Sequence, residues 1–313
     1  MVNLKKILEY GILAPSVHNV QPWQFKIDKD MVTISISNQR RLGVGDPVGR
    51  ETWLSIGACL ENIIQSAAIF GQYVHYKLHD SEVLITFSNA KPPKPEITLE
   101  TIQKRFTDRS KYNGKAVPKA TLNAIQNCWQ SEDISLVVTY DPEVIRVVSD
   151  LTARGISLAL RQPAFRQELS GLINRPFSSK QTGFSYRSLR LKPLRAVVEP
   201  LSVGKGLNIT KQVKKERSLW LSSSALIMTF AKGDSIKYWL EAGRAYQRAG
   251  LIAVQHDLRQ ATSAAIVEAS DFHTDIENLV GTDLRLETLM RIGYSSAKPA
   301  HSPRLRLDDV IVT

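Results

Sequence analysis

Residues 14–25 read APSVHNVQPWQF, and this stretch combines two prolines with a high density of hydrogen-bonding side chains. An amphipathic run over residues 4–13 precedes it, and an alternating run begins at Trp23. Because proline stops a helix from continuing, the stretch is predicted to turn the chain from a helix into a strand. Four polar side chains are thereby collected at one turn: Ser16, His18, Asn19 and Gln21.

Hydrophobic periodicity predicts a mixture of helices and strands along the remaining chain. Strands are predicted at 23–27, 32–36, 74–78, 83–87, 136–139 and 224–230, and the alternating RLRLDDVIV at 304–312 predicts a terminal strand. Helices are predicted at 4–13, 53–71, 99–105, 117–129, 142–160 and 235–257. Residues 163–218 are basic, rich in Ser, Gly and Pro, and weakly periodic, which is typical of a functional loop, a lid or a mobile excursion.

The proline-rich stretch KPPKPE, residues 91–96, is the best candidate for an internal boundary, because it sustains neither a helix nor a central strand. We therefore divide the chain into residues 1–95 and 96–313, the second part carrying the basic, lid-like excursion. The helical runs that start at Trp53 and Trp239 share Trp-Leu, a Gly four positions on and an Ala fourteen positions on. This similarity predicts an α+β fold of two tandem halves that pack as an intrachain pseudo-dimer.

The composition, 43% hydrophobic and 23% charged over 313 residues, is ordinary for a folded protein. No apolar run approaches the roughly 18 residues that cross a bilayer, and the N-terminal run continues into amphipathic periodicity rather than a cleavage site. We therefore expect a cytoplasmic protein with no membrane partner. Cys59 and Cys128 lie in apolar helical patterns, and the six His residues share no ligand spacing, so no metal site is expected.

The net charge of +11 is compatible with nucleic-acid binding. However, the basic residues are spread along the chain with one dense zone at 175–215, and no zinc-finger or RNA-recognition signature accompanies them. A solvated basic surface is the favoured explanation, and a site for a phosphate-bearing ligand is the more specific alternative. We expect no nucleic-acid partner, and keep a basic nucleic-acid-binding protein as the least favoured function.

Residues 14–25 closely resemble the APSxxNxQPWxF signature of FMN-dependent nitroreductases, and QKRFTDRSKYNGKAVP at 103–118 resembles their phosphate-binding RRSxRxF…PVP segment. The order of these two motifs is inverted relative to ordinary members. Together with DPVGRE at 46–51, WLEAGRA at 239–245, and RIGY followed by PRLRLDDV within 291–310, this order resembles the Acg-like branch of the nitroreductase superfamily. The resemblance implies the nitroreductase fold, present here as the pseudo-dimer described above.

The resemblance also implies a site for FMN that draws on both halves of the chain. The implied cofactor-binding residues are Pro15, Ser16, Asn19, Arg105, Thr107, Arg109 and Arg304. The first three would contact the flavin ring and ribityl chain, the next three would hold the phosphate and the pyrimidine edge of the ring, and the last matches a C-terminal phosphate-binding arginine. Arginine suits this task because its planar fork donates several charge-assisted hydrogen bonds to phosphate. A polar capping turn at 14–25 and a solvated basic loop at 105–109 are the alternatives.

Three departures from the family pattern affect this expectation. Asp108 would repel phosphate unless it faces Arg105 or Arg109, and Ser302 stands where the family often has a lysine. The first half lacks the basic segment and the second half lacks the APS motif, so only one flavin site can be completed. We therefore expect one FMN per chain.

The function implied is that of an FMN-dependent NAD(P)H oxidoreductase. NADPH or NADH would reduce the flavin, which would then reduce a nitroaromatic, a quinone or a related small-molecule acceptor in a ping-pong cycle. No catalytic side chain is implied. The main alternative is an FMN-sequestering or storage protein whose excursion, including Tyr186 and Arg187, covers the cofactor. A monomeric pseudo-dimer and a homodimer are both compatible with the sequence.

Overall fold

The computed structural model describes residues 4–312, which form two four-stranded antiparallel sheets with helices packed against them. The strands are β1 Trp23–Asp28, β2 Met31–Ile36, β3 Tyr73–His79, β4 Glu82–Ser88, β5 Ile134–Thr139, β6 Ala225–Ala231, β7 Arg259–Thr262 and β8 Arg285–Gly293. The helices are α1 Leu4–Gly11, α2 Arg50–Ile69, α3 Leu99–Lys104, α4 Lys119–Asn127, α5 Pro142–Arg161, α6 Pro163–Leu172, α7 Pro193–Gly204, α8 Ile209–Leu221, α9 Ile236–Gln255, α10 Ala265–Glu268 and α11 Phe272–Val280.

The two sheets have the same connectivity. The first has the order β1-β2-β4-β3 and the second the order β5-β6-β8-β7, with all neighbours antiparallel. In each sheet a 20-residue helix, α2 or α9, connects the second strand to the third. The two sheets lie on opposite sides of residues 91–96 in sequence, and the second contains a long insertion between β5 and β6.

Helices α2 and α9 pack against each other between the two halves. Most residues of α2 are buried, which explains why its sequence is apolar around most of the helix rather than along one stripe. The contact uses small residues, with Gly57 of α2 against the backbone at Leu240 and Gly243 of α9 against the backbone at Leu54. This helix pair links the hydrophobic cores that lie beneath the two sheets.

Most strands and helices predicted from periodicity are present, with boundaries shifted by a few residues. The terminal strand predicted at 304–312 is wrong. The chain there forms a short 3-10 turn at Leu307–Asp309, and only Ile311 bridges to Phe25 of β1, in parallel. The carboxylate of Asp309 accepts hydrogen bonds from Arg306, and this local closure competes with extended pairing.

The excursion at 163–218 is more ordered than its composition suggested, because it contains α6, α7 and α8. Its periodicity is weak since these helices leave large apolar side chains in solvent, including Leu194 and Leu201 of α7. Irregular chain at 173–192 connects α6 to α7. This connecting segment crosses the turn formed by residues 14–21, and thereby brings the excursion to the predicted site.

Candidate functional site

A cavity of about 120 Å³ lies where three distant segments of the chain meet and Phe184 of the excursion adds a fourth side. The end of α1 and the following turn form one wall, the segment after α3 forms the second, and residues 301–304 form the third. All of the cofactor-binding residues predicted from the sequence line this cavity: Pro15, Ser16, Asn19, Arg105, Thr107, Arg109 and Arg304. The remaining lining residues are Leu13, Ile102, Gln103, Phe106, Phe184, His301 and Ser302.

The turn after α1 is held in an unusual backbone conformation. His18, Asn19 and Gln21 have positive φ angles of 44°, 59° and 54°, a region that asparagine tolerates better than most residues. The Ser16 hydroxyl accepts a hydrogen bond from the Gln21 N–H at 2.9 Å, and the Val17 N–H donates to Ser55 Oγ of α2 at 3.1 Å. Ser16 therefore shapes the turn as well as lining the cavity.

The side chain of Asn19 connects three segments of the chain. Its Nδ2 donates to the carbonyls of Gly183 and Pro303, both at 3.0 Å, and its Oδ1 accepts from Arg304 Nη1 at 2.8 Å. The Gly183 N–H donates in return to the Asn19 carbonyl at 3.0 Å, and Gln21 Nε2 donates to the Gln181 carbonyl at 2.7 Å. Residues 181–184 thus pair with the turn and close one side of the cavity.

Arg105 is the least satisfied cation of the site. Its side chain is buried, and its Nε and Nη1 have no hydrogen-bond partner among residues 4–312. Burial, together with repulsion from Arg109, lowers the pKa of Arg105 to about 10. A buried guanidinium without an acceptor is costly, so this side chain requires an anion to complete its environment.

Arg304 and Arg109 bring two further positive charges to the same cavity. Arg304 Nη2 donates to the carbonyls of Leu13 and Ala14, while its Nε has no partner in the described chain. Burial and the charge of Arg105 lower the pKa of Arg304 to about 9. Burial also lowers the pKa of Arg109. None of the residues lining the cavity is a carboxylate, so these charges are not neutralised within it.

Asp108 forms its ion pair with neither Arg105 nor Arg109, the two partners considered from the sequence. Its Oδ1 pairs with Arg190 Nη2 of the excursion at 2.7 Å, and the Asp108 N–H donates to the Gln260 carbonyl of β7 at 2.7 Å. Successive side chains of an extended segment point to opposite sides, and Asp108 therefore points away from the cavity while its two neighbours line it. The ion pair with Arg190 partly offsets its charge.

Phe184 lines the cavity from the side of the excursion and packs against His18 of the turn. Their ring centroids are 5.3 Å apart, and the Arg109 guanidinium lies 4.9 Å from the centre of the Phe184 ring. Burial, followed by the charge of Arg109, lowers the pKa of His18 to about 4. His18 is therefore neutral near pH 7.

Phe184 and His301 were not identified from the sequence. Phe184 lies in the weakly periodic excursion, where only its aromatic character marks it, and His301 precedes the arginine that carried the resemblance. Tyr186 and Arg187, considered as cover for the flavin, do not line the cavity and instead contact each other through Arg187 Nε and the Tyr186 hydroxyl at 3.1 Å.

No cluster of His, Cys, Asp or Glu in residues 4–312 has the arrangement of a metal site. Within the same residues, no helix is both long and apolar enough to span a membrane.

Comparison with known proteins places this site in context. No family model matches the chain. "Putative NAD(P)H nitroreductase Rv3131" of Mycobacterium tuberculosis H37Rv is 27% identical over 122 residues, which cover 37% of this chain and only 36% of that relative. "Uncharacterized protein Rv3127" of the same organism is 23% identical over 98% of this chain and 92% of its own length.

Solved nitroreductases are distant structural neighbours. The FMN and NADPH-dependent nitroreductase NfnB of Sphigopyxis sp. strain HMH aligns with a TM-score of 0.44 at 17% identity, covering 68% of this chain and 97% of that one. NfnB of Mycobacterium smegmatis, solved in complex with NADPH, aligns with a TM-score of 0.42 at 16% identity, covering 67% and 94%.

Proposed function

We propose that this protein is an FMN-dependent NAD(P)H oxidoreductase of the nitroreductase type. The observation that carries the proposal is the cavity in which Arg105, Arg109 and Arg304 meet without a carboxylate, and in which buried N–H groups of two of them lack acceptors. A phosphate dianion supplies the missing acceptors and charge. The local similarity to a nitroreductase relative supports the same assignment.

The chain's own residues divide into two groups around such a cofactor. Arg105, Arg109 and Arg304, with the Thr107 hydroxyl beside them, would hold the phosphate. Leu13, Ile102, Phe106 and Phe184 offer apolar surface for the ring, with Pro15, Ser16 and Asn19 at its edge. When bound, FMN accepts a hydride from NADPH or NADH and delivers electrons to a nitroaromatic, quinone or similar acceptor, while the protein orients the reactants and excludes water.

We further propose that the two halves are tandem copies arranged as a pseudo-dimer, with the motif order of the Acg-like branch. The identical strand order of the two sheets and the reciprocal glycine contacts of α2 and α9 support this proposal. So does the match to Rv3127, which spans nearly the whole chain. In solution the protein would be a monomer or a homodimer of this unit, and we propose a cytoplasmic location.

The side-chain packing at the equivalent position in the other half supports one flavin per chain. The register that pairs Gly57 with Gly243 pairs Ser55, which anchors the cavity turn, with Glu241. There the Arg244 side chain lies between the rings of Tyr76 and Trp129, at 4.7 and 5.0 Å from their centres, and pairs with Glu241 at 2.9 Å. This packing of Arg244 against aromatic rings supports the proposal of one cofactor site per chain.

The small volume of the cavity is a specific observation in favour of the alternative function, FMN sequestration. At about 120 Å³ it is smaller than the pockets of roughly 300–1,000 Å³ that hold ligands of this size. Residues 181–184, which pair with Asn19 and Gln21, must therefore move for a flavin ring to enter. An FMN storage protein and an enzyme would share this cover, and would differ in whether reactants reach the ring.

The test is anaerobic addition of NADPH to the purified yellow protein, followed by a quinone. Rapid loss of the flavin absorbance band and its return with quinone support the oxidoreductase. Bound flavin that neither NADPH nor NADH bleaches would establish the sequestering function instead. A colourless protein that does not bind added FMN contradicts both.

A further inference from the structure

A second set of converging hydrogen-bond donors lies outside the cavity, in the loop before α2. The backbone N–H groups of Gly43, Val44 and Gly45 all donate to the carboxylate of Glu168 in α6, at 2.8, 3.0 and 2.7 Å. The first two share Oε1, and the third binds Oε2. Successive N–H groups that converge in this way form a nest, a concavity that binds anions.

Backbone dipoles hold Glu168 in this nest without help from a cation. No Lys, Arg or His of the described chain lies within ion-pair distance of its carboxylate. The first and last residues of the nest are glycines, so they place no side chain over its N–H groups. A Cβ on Gly45 would lie 3.0 Å from Glu168 Oε2, so this close approach of an oxyanion requires glycine.

The nest is connected to the cover of the cavity. Phe165, one turn before Glu168 on α6, lies 3.5 Å from where a Cβ on Gly45 would stand, and its ring centre is 6.3 Å from that of His18. His18 in turn contacts Phe184, which lines the cavity. The nest is therefore connected, through Phe165 and His18, to the side of the cavity that Phe184 lines.

We propose that the nest at residues 43–45 binds a phosphate group of the nicotinamide electron donor, and that Glu168 occupies it in the closed state. This inference rests on the proposed function. A phosphate presents an oxyanion as the carboxylate does, with more charge and a further acceptor oxygen, so it competes for the same three N–H groups. A donor whose nicotinamide reaches the flavin extends beyond the cavity and carries its phosphates towards this loop. Binding of this donor would displace Glu168 and so release α6 and residues 181–184, which close one side of the cavity.

Two substitutions distinguish a phosphate site from a structural cap, because they act in opposite directions. Glu168→Gln removes the charge that competes for the N–H groups and leaves them free. The fraction of protein able to bind NADPH rises, so NADPH should bind about five-fold more tightly or better. Gly45→Ala adds a methyl group at the oxyanion position, so NADPH should bind several-fold more weakly than to the native protein. Glu132→Gln, which removes the same charge from an exposed loop, should leave the affinity unchanged.

The measurement is calorimetric titration of the full chain with NADPH, with NADH and with sodium pyrophosphate. An equal gain for both nucleotides in Glu168→Gln assigns the nest to the pyrophosphate, and a gain for NADPH alone assigns it to the 2′-phosphate. The proposal is overturned if Glu168→Gln binds all three probes as the native protein does, or if both variants shift the affinity in the same direction.

The measurements distinguish failure of the nest proposal from failure of the proposed function. Pyrophosphate binding requires neither flavin nor turnover, so a chain without FMN can still show tighter pyrophosphate binding in Glu168→Gln. Conversely, a flavoprotein that NADPH reduces, with no effect of either substitution on nucleotide affinity, contradicts the nest alone. Thermal unfolding of each variant shows that the fold is retained.

Discussion

Gly57 and Gly243 make reciprocal contacts across the centre of the molecule. A Cβ built on Gly57 would stand 2.1 Å from the Leu240 carbonyl oxygen, and one built on Gly243 would stand 2.2 Å from the Leu54 carbonyl oxygen. Each glycine thus meets the residue three positions before the other glycine. Such reciprocity is expected of an isologous interface, as in the proposed pseudo-dimer.

Alanine at Gly57 should therefore destabilise the protein strongly. Its methyl group meets backbone rather than a mobile side chain, and overpacking of this kind costs about 3 kcal/mol or more. Gly243→Ala should cost a similar amount, because the contact is reciprocal. The control is Gly171→Ala in α6, where nothing lies within 4 Å of the new Cβ. Chemical denaturation should show Gly171→Ala unchanged or slightly stabilised, and equal stability of all three variants would contradict the helix contact.

Arg105→Met should affect cofactor binding and stability of the free protein in opposite directions. Removing a charge-assisted contact to phosphate should weaken FMN binding by about 10- to 100-fold. Without cofactor, the variant should be at least as stable as the native chain, since a buried cation with unpartnered N–H groups is lost. Flavin fluorescence titration and denaturation measure the two effects. Arg306→Met, which removes an exposed arginine near Arg304, should change neither appreciably.

Phe184→Ala should open the cover of the cavity. The ring contacts both His18 and Arg109, and losing contacts of these two kinds costs about 1–2 kcal/mol, so FMN should dissociate about ten-fold faster. Reoxidation of reduced protein by a bulky quinone should also accelerate. Phe177→Ala, on the same connecting segment but with a fully exposed ring, is the matched control. Identical FMN release from both variants would show that Phe184 is not the cover.

His18 should make stability depend on pH. Its pKa is about 4 in the folded protein and near 6.5 when unfolded, so the unfolded chain binds its proton first on acidification. The contribution is present above pH 6.5 and is lost as the pH falls towards 4, by up to about 3 kcal/mol. In His18→Asn, which tolerates the positive φ, this loss is removed. The stability difference between native protein and variant should shift in favour of the variant between pH 7 and pH 4, and a constant difference would refute the assignment.

The sequence indicated the residues that line the cavity better than it indicated the segment of the excursion that covers the cavity. Pro15, Asn19 and Arg105 could be found because turn formation and phosphate binding demand particular residue types within short stretches. Their convergence on one cavity is a matter of tertiary structure, which the family resemblance supplied and periodicity did not. The four strands of the first sheet and two strands of the second, β5 and β6, were predicted from local patterns of apolar residues, whereas β7 and β8 were missed.

The parts that escaped prediction depend on distant partners. Arg105 and Arg109 were the partners considered for Asp108, but its ion pair is with Arg190, 82 positions further along the chain. The C-terminal residues alternate as a strand does, yet only Ile311 bridges to β1, and Asp309 closes a local turn instead. Helices of the excursion expose apolar side chains, so no stripe marked them in advance.

The most direct test of the account is the amount of FMN released per chain from the purified protein. Extraction of the flavin and absorbance spectroscopy, with protein measured by amino-acid analysis, give this ratio. The arginine-lined cavity and the packing of Arg244 against Trp129 predict one FMN per chain after saturation with cofactor. A ratio of two would contradict the single site, and a chain that binds no FMN would contradict the assignment of the cavity itself.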